Sequence, residues 1–159
     1  MTIEAACSAA VGDLRLGCAY RLRSGASSVV AEVDGLRTGP PGEASPVFLS
    51  GRDRYEQVSV NLRRVRDVER FVVYAFAGDG STLAWGGTLQ VTTYGGAVIA
   101  ASLENRPFDG VLVALSAYNV DGELVLRAEH QATEPTVRHA CEAFGYDDII
   151  WLDDRLPAG

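Results

Sequence analysis

The chain has 159 residues, of which 47% are hydrophobic and 22% charged, and its net charge is −7. This length fits one compact domain of globular composition, and the apolar runs are too short to predict a transmembrane helix. The negative charge disfavours nonspecific binding to nucleic acid, which needs a basic footprint, and the N-terminus lacks the basic region of a secretory signal.

The first half of the chain predicts strands. Leu14–Leu22 alternates apolar and polar residues with arginine on the polar side, which indicates a half-buried antiparallel strand. Ser28–Val33 and Tyr55–Leu62 predict two more strands, and the Pro- and Gly-rich stretch Gly35–Pro46 between them predicts a loop. Arg70–Ala77 is apolar on both faces, as in a central strand covered on both sides or a strand that bridges two sheets.

The strand pattern continues to about residue 131. A pair of glycines, Gly86 and Gly87, predicts a bulge or bend, and Asp121-Gly122 predicts a tight hairpin turn. The apolar residues around these turns predict four strands, at Leu83–Tyr94, Ala97–Leu103, Val111–Tyr118 and Leu124–Glu129.

One helix is predicted near the C-terminus. Thr133 is a suitable N-cap, Glu134 and Pro135 fit the first turn, and Gly145 is a suitable terminator. The residues with helical spacing on one apolar face are Val137, Ala140, Cys141 and Phe144.

These elements predict an all-β-dominated fold, a two-sheet antiparallel β-sandwich with one late C-terminal helix. We expect a single domain over residues 12–153, an N-terminal extension over 1–11 and a C-terminal tail over 154–159. Ile149–Leu152 is a candidate last strand, and its Trp151 either closes the sandwich edge or contacts a second subunit.

The residues that carry chemistry are sparse. GxSxG, HExxH, GxGxxG and Walker motifs do not occur, so no enzymatic activity is predicted. His139 is expected to point away from the apolar face of the helix, and His130 to lie at a strand end. Cys7, Cys18 and Cys141 are odd in number and widely spaced, which indicates reduced thiols in a cytoplasmic protein.

The negative charge is concentrated in the last third of the chain. Residues 101–159 contain eleven acidic residues and four arginines, whereas the two types balance before residue 101. We interpret this region as a solvated or partner-facing surface.

Several short motifs follow one another along residues 12–146. They are Leu14–Gly17 (LRLG), Glu56–Leu62 (EQVSVNL), Val65–Phe76 (VRDVERFVVYAF), Asp121–Ala128 (DGELVLRA), and Gln131 with the helix that ends at Phe144-Gly145. In their order and spacing, these motifs together resemble the TerD-like family of bacterial tellurite-resistance and stress-response proteins.

The resemblance implies a cytoplasmic β-sandwich that binds calcium through acidic loops. Ser27–Glu32 stands where one such loop is expected, without its aspartates, and Arg54 and Tyr55 replace an acidic pair of the other. Arginine repels a dication, so we interpret the calcium sites as degenerate.

Three hypotheses for function remain open. The first is a non-enzymatic scaffold or binding module for protein partners in a stress-response or membrane-associated complex, with no cofactor. The second is a calcium-binding protein whose site is rebuilt from Asp34, Asp53 and Glu56, and calorimetric titration with calcium would reveal it. The third is a small-molecule binder or enzyme with a pocket between the sheets near Trp85, Tyr94 and His130.

Overall fold

A computed structural model of the protein describes residues 1–40, 45–50, 57–133 and 135–158. Over this part of the chain it contains two five-stranded antiparallel sheets and one short helix late in the sequence. The predicted fold class is therefore confirmed. The one α helix of the described residues is too short to cross a membrane.

The strands and the helix are numbered in chain order, and short 3-10 turns lie at Ala9–Val11 and Leu62–Asp67. The elements are β1 (Thr2–Ala6), β2 (Leu14–Leu22), β3 (Ser27–Val30), β4 (Glu32–Val33), β5 (Leu36–Arg37), β6 (Val47–Ser50), β7 (Gln57–Val60), β8 (Val68–Ala77), β9 (Thr88–Thr92), β10 (Val98–Ser102), β11 (Val111–Val120), β12 (Glu123–Thr133) and α1 (Val137–Ala143).

Sheet 1 has the strand order β10-β9-β1-β7-β6. Its inward positions are apolar: Ile3 lies in register between Val58 and Val91, and all three side chains are buried. Its outward positions are mostly polar, and the hydroxyls of Ser50 and Ser59 lie 2.6 Å apart there. This is the alternation expected of an antiparallel sheet with one face in solvent.

The predicted extension over residues 1–11 is wrong, because β1 lies in the middle of sheet 1 and pairs with β7 and β9. The strand is short and has one large apolar side chain, Ile3, so its pattern is weak. The predicted tail over 154–159 also belongs to the fold: Ala158 donates its N–H to the Ile150 carbonyl, and the Arg155 guanidinium binds the Gly78 carbonyl.

Sheet 2 has the order β12-β11-β8-β2-β3 and is covered on both faces. We call the apolar contacts between the two sheets the inner layer. We call the contacts between the opposite face of sheet 2 and residues 135–158 the outer layer. In β8, Phe71 and Val73 enter the inner layer, whereas Val72 and Tyr74 enter the outer one. The prediction that this strand is covered on both sides is confirmed.

The outer layer also corrects the prediction that β2 is half-buried. Gly17 and Ala19, which alternate with its apolar residues, are buried under this layer. A Cβ atom at Gly17 would lie 2.4 Å from the Tyr74 ring, so only glycine fits beneath that ring.

Strand boundaries differ from prediction where glycine or a short turn intervenes. The predicted strand Leu83–Tyr94 is reduced to β9, because Gly87 has a φ of 95° and lies against the backbone of Cys7. The predicted loop Gly35–Pro46 contains β5, which pairs with β4 in a small hairpin. Ile149–Leu152 forms no strand; Trp151 makes an isolated bridge with Pro157.

The helix α1 begins later than predicted. Thr136, rather than Thr133, is the N-cap, and its hydroxyl accepts the His139 N–H. Thr133 instead continues β12 opposite Val111, because strand pairing extends beyond the predicted end. The predicted apolar face is confirmed, since Val137, Ala140 and Cys141 are buried in the outer layer.

Candidate functional surfaces

Asp34, the first predicted metal ligand, lies in an open cleft of about 160 Å³. It occupies the turn between β4 and β5 with a φ of 51°, and its side chain is exposed. The cleft is also lined by acidic and basic side chains, namely Asp13, Arg15, Glu32 and Asp79. The other two predicted ligands, Asp53 and Glu56, lie outside the described residues.

The carboxylates of this cleft have partners within the protein. Asp13 accepts from Arg15 at 2.8 Å, and Glu32 accepts from Arg37 at 2.7 Å. Asp79 accepts both the hydroxyl and the backbone N–H of Ser81, and these hydrogen bonds lower the pKa of its carboxyl group.

An arginine also lies beside the predicted ligand, because Arg155 Nη1 is 3.9 Å from an Asp34 carboxylate oxygen. In the described ranges, no three acidic, histidine or cysteine side chains come together in a way that could hold a metal ion. The carboxylates of the cleft are therefore engaged by arginine and serine residues of the protein itself.

The rings of the two histidines each make a hydrogen bond to another residue. His139 is exposed, as predicted, and its Nδ1 lies 2.7 Å from the Thr136 hydroxyl. His130 has a φ of 49°, and its Nδ1 donates to the Ser102 carbonyl at 3.1 Å, so it links the edges of the two sheets. Each ring therefore has a structural hydrogen bond.

The residues proposed to line a pocket between the sheets do not converge. Trp85 is buried in the inner layer, where its ring stacks on Phe108 at 4.7 Å. Tyr94 is 95% exposed in the turn between β9 and β10. Trp85 is thus a core residue, as are Tyr74 and Phe76.

Buried ionisable side chains lie on both faces of sheet 2: Cys18 belongs to the inner layer, and Cys141, Tyr74 and Tyr146 belong to the outer layer. Burial raises the pKa of the Cys18 thiol well above its usual range and that of the Cys141 thiol to about 12. It also raises the pKa of the Tyr74 and Tyr146 hydroxyls, and neither hydroxyl has a hydrogen-bond partner among the described residues. The raised pKa values keep these four groups neutral. Of the three thiols, only that of Cys7 is exposed.

Three arginines attach residues 135–158 to sheet 2. Arg70 donates to the carbonyls of Phe144 and Gly145, and its guanidinium lies 4.5 Å from the centre of the Tyr146 ring. Arg21 binds Asp148 at 2.6 Å. Arg155 donates to the carbonyl of Ala77, the last residue of β8, and to the carbonyl of Gly78. Directed polar contacts thus hold residues 135–158, which we call the outer cover, against sheet 2.

Beyond this cover, the same face of sheet 2 exposes an apolar patch, which we define as Tyr118, Val120 and Val125. The Asp121-Gly122 turn sets the β11–β12 register so that Tyr118 lies opposite Val125. The three side chains are 42%, 54% and 53% exposed. They are bordered by charged residues of both signs, Glu123 and Arg127, on β12.

The sequence did not indicate this patch because Val111–Tyr118 is apolar at nearly every position, so its pattern does not separate exposed from buried side chains. The hairpin register was the available signal, since it brings Tyr118 and Val125 together on one face beside an exposed turn. Searches against protein-family models, curated proteins and solved structures found no match to the chain. The TerD-like resemblance therefore stays a prediction from motif order.

Proposed function

We propose that this chain is a non-enzymatic binding module of the TerD-like type, with degenerate calcium sites. It acts in the cytoplasm, in a stress-response or membrane-associated complex. Its task is to hold a protein partner against the apolar patch of Tyr118, Val120 and Val125.

The observation that carries the proposal is the exposure of this patch. Tyr118 is 42% exposed even though its strand, β11, is not an edge strand and the same sheet face is covered elsewhere. Contiguous exposed apolar side chains with a polar border are typical of protein interfaces, and tyrosine is enriched among the residues that dominate binding energy.

The charged residues around the patch support a protein partner over a small molecule. Arg127 is 71% exposed, and Glu123 is also exposed on the same strand face. A flat patch between charges offers shape and charge complementarity to another surface, whereas small ligands need concave enclosure.

The test compares baits that differ only at the patch. Proteins captured from the native cell by the unmodified chain are identified, and each is then purified and titrated against Tyr118→Ala and Leu36→Ala variants. Leu36 is a matched control because it is 60% exposed but belongs to the β4–β5 hairpin. We expect Tyr118→Ala to weaken binding about tenfold or more and Leu36→Ala to leave it unchanged. Equal affinities for the two variants would refute the assignment of this patch.

A further inference from the structure

Strand β10 is an edge of sheet 1 and carries no charge. Residues 80–103, which include β9 and β10, contain no Asp, Glu, Lys or Arg. The side chain of Val98 is 60% exposed and that of Ile99 is 46% exposed. A chain with a net charge of −7 thus presents a neutral, apolar strand at this edge.

The backbone of β10 shows which groups face outward. Thr93 donates to the Ala97 carbonyl, and Leu103 donates to the Gly87 carbonyl. Because antiparallel bonding alternates along a strand, Ile99 and Ala101 also bond toward β9, whereas Val98, Ala100 and Ser102 direct their backbone groups outward.

His130 supports this assignment, because its Nδ1–H donates to the outward carbonyl of Ser102. The contact closes one end of the edge. Along the rest of the β10 edge, the N–H and C=O groups of Val98 and Ala100 provide two outward donors and two outward acceptors.

The two edges of sheet 2 are protected in ways that β10 is not. Strand β12 carries Glu123, Arg127 and Glu129, and charges on an edge strand oppose pairing with another strand. Along β3, the Thr38 hydroxyl donates to the Val29 carbonyl. Neither form of protection occurs over Val98–Ala101.

We propose that β10 is a dimerisation edge, where it pairs antiparallel with β10 of a second copy of this chain about a two-fold axis at Ile99. Val98 of each copy then lies opposite Ala100 of the other, and each such pair exchanges two hydrogen bonds. The two five-stranded sheets join into one continuous sheet.

A second copy fits this edge because the edge is self-complementary. The four outward groups of each copy are satisfied in this register without disturbing the contact between Ser102 and His130. Ile99 faces its own counterpart across the axis, which buries the partly exposed end of the inner layer. Two chains of charge −7 also repel least where no charged side chain lies between them. The proposal is independent of the patch on sheet 2.

The main test is sedimentation equilibrium of the full chain from micromolar to millimolar concentration. A seam of four hydrogen bonds is small, so we expect a reversible dimer with a Kd in the micromolar range or weaker. The Val98→Lys variant, which adds a charge at the seam, is expected to remain monomeric. Leu36→Lys is the matched control, since Leu36 and Val98 are both 60% exposed, and it is expected to dimerise like the parent chain.

Ala100→Pro provides a second variant in case Val98→Lys perturbs folding, which circular dichroism would reveal. Proline removes the outward N–H of Ala100 but no bond to β9, so it is tolerated at an edge and is expected to abolish the dimer. A chain that stays monomeric throughout the concentration range overturns the proposal. So does a dimer that persists in both seam variants or disappears equally in Leu36→Lys.

Oxidative crosslinking tests the register. In a Cys7→Ser background, which removes the exposed thiol, Ile99→Cys is expected to form an intermolecular disulfide, because facing residues at the axis lie within disulfide reach. Val98→Cys is the control, since its counterpart is displaced by two residues. Equal crosslinking of the two variants would overturn the axis at Ile99.

Discussion

The inner and outer layers on the two faces of sheet 2 differ in whether their buried polar atoms have hydrogen-bond partners. In the inner layer, the Tyr20 hydroxyl accepts from Ser45 at 2.7 Å, and the Trp85 indole N–H donates to the Phe108 carbonyl. In the outer layer, the Tyr74 and Tyr146 hydroxyls and the Trp151 indole N–H have no partner among the described residues. Buried polar groups without partners cost stability, so the outer layer is the less favourable of the two.

The contacts that hold each layer together also indicate that the outer layer is the less stable one. Large aliphatic and aromatic residues close the inner layer between two sheets, whereas arginine contacts from Arg21, Arg70 and Arg155 hold the outer cover. We infer that the inner layer determines the stability of the whole sandwich, and that the outer cover opens at a smaller free-energy cost.

The largest effect is expected from the inner layer. Phe71 is fully buried there, and Phe71→Ala should lower the free energy of unfolding by about 3–5 kcal/mol, because it leaves a cavity between two sheets. Guanidinium denaturation measures this loss. Phe48→Ala, at a half-buried position of edge strand β6, is the control and should cost clearly less. Similar losses at the two positions would remove the basis for assigning stability to the inner layer.

A smaller, local effect is expected at the outer cover. Arg70→Gln removes the guanidinium that donates to the Phe144 and Gly145 carbonyls and contacts Tyr146. We therefore expect the free energy of opening the outer cover to fall by about 1–3 kcal/mol. The measurement is thiol labelling under native conditions in a Cys7→Ser background.

Labelling distinguishes the layers because one buried thiol lies in each. Cys141 belongs to the outer layer and Cys18 to the inner one. Arg70→Gln should accelerate labelling of Cys141 while Cys18 stays protected, and Arg63→Gln, at an exposed arginine, should change neither. Equal labelling rates for Cys141 and Cys18 would show that the cover does not open separately.

The same contrast explains what could be predicted from the sequence. Alternation located β2, a continuous apolar run located β8, and a clear turn located the β11–β12 hairpin, because local pattern and tertiary pairing agree there. Strand β1 was missed because its burial depends on neighbours from distant parts of the chain.

The candidate site was less predictable than the fold. Asp34 was identified by residue type, but pattern alone could not show that Arg155, far along the sequence, lies beside it. The apolar patch depends on where the outer cover ends. The register of a hairpin can be deduced from its turn, whereas the extent of a cover packed from another segment cannot.

The smallest effect separates the two layers most directly. Tyr20 and Tyr74 are both almost fully buried, but among the described residues only the Tyr20 hydroxyl has a hydrogen-bond partner. Tyr20→Phe should therefore cost about 0.5–1.5 kcal/mol, whereas Tyr74→Phe should be neutral or slightly stabilising, since it removes a desolvated hydroxyl without breaking a bond.

Thermal and guanidinium unfolding of the two variants, with Tyr146→Phe as a second outer-layer substitution, measure this difference. Each change deletes a single oxygen from a buried ring, so cavity formation and loss of apolar area contribute little to the comparison. If Tyr74→Phe costs as much as Tyr20→Phe, the Tyr74 hydroxyl is bonded in solution. The two layers would then differ only in how they are attached, because the polar interior of the outer layer would be as well satisfied as that of the inner one.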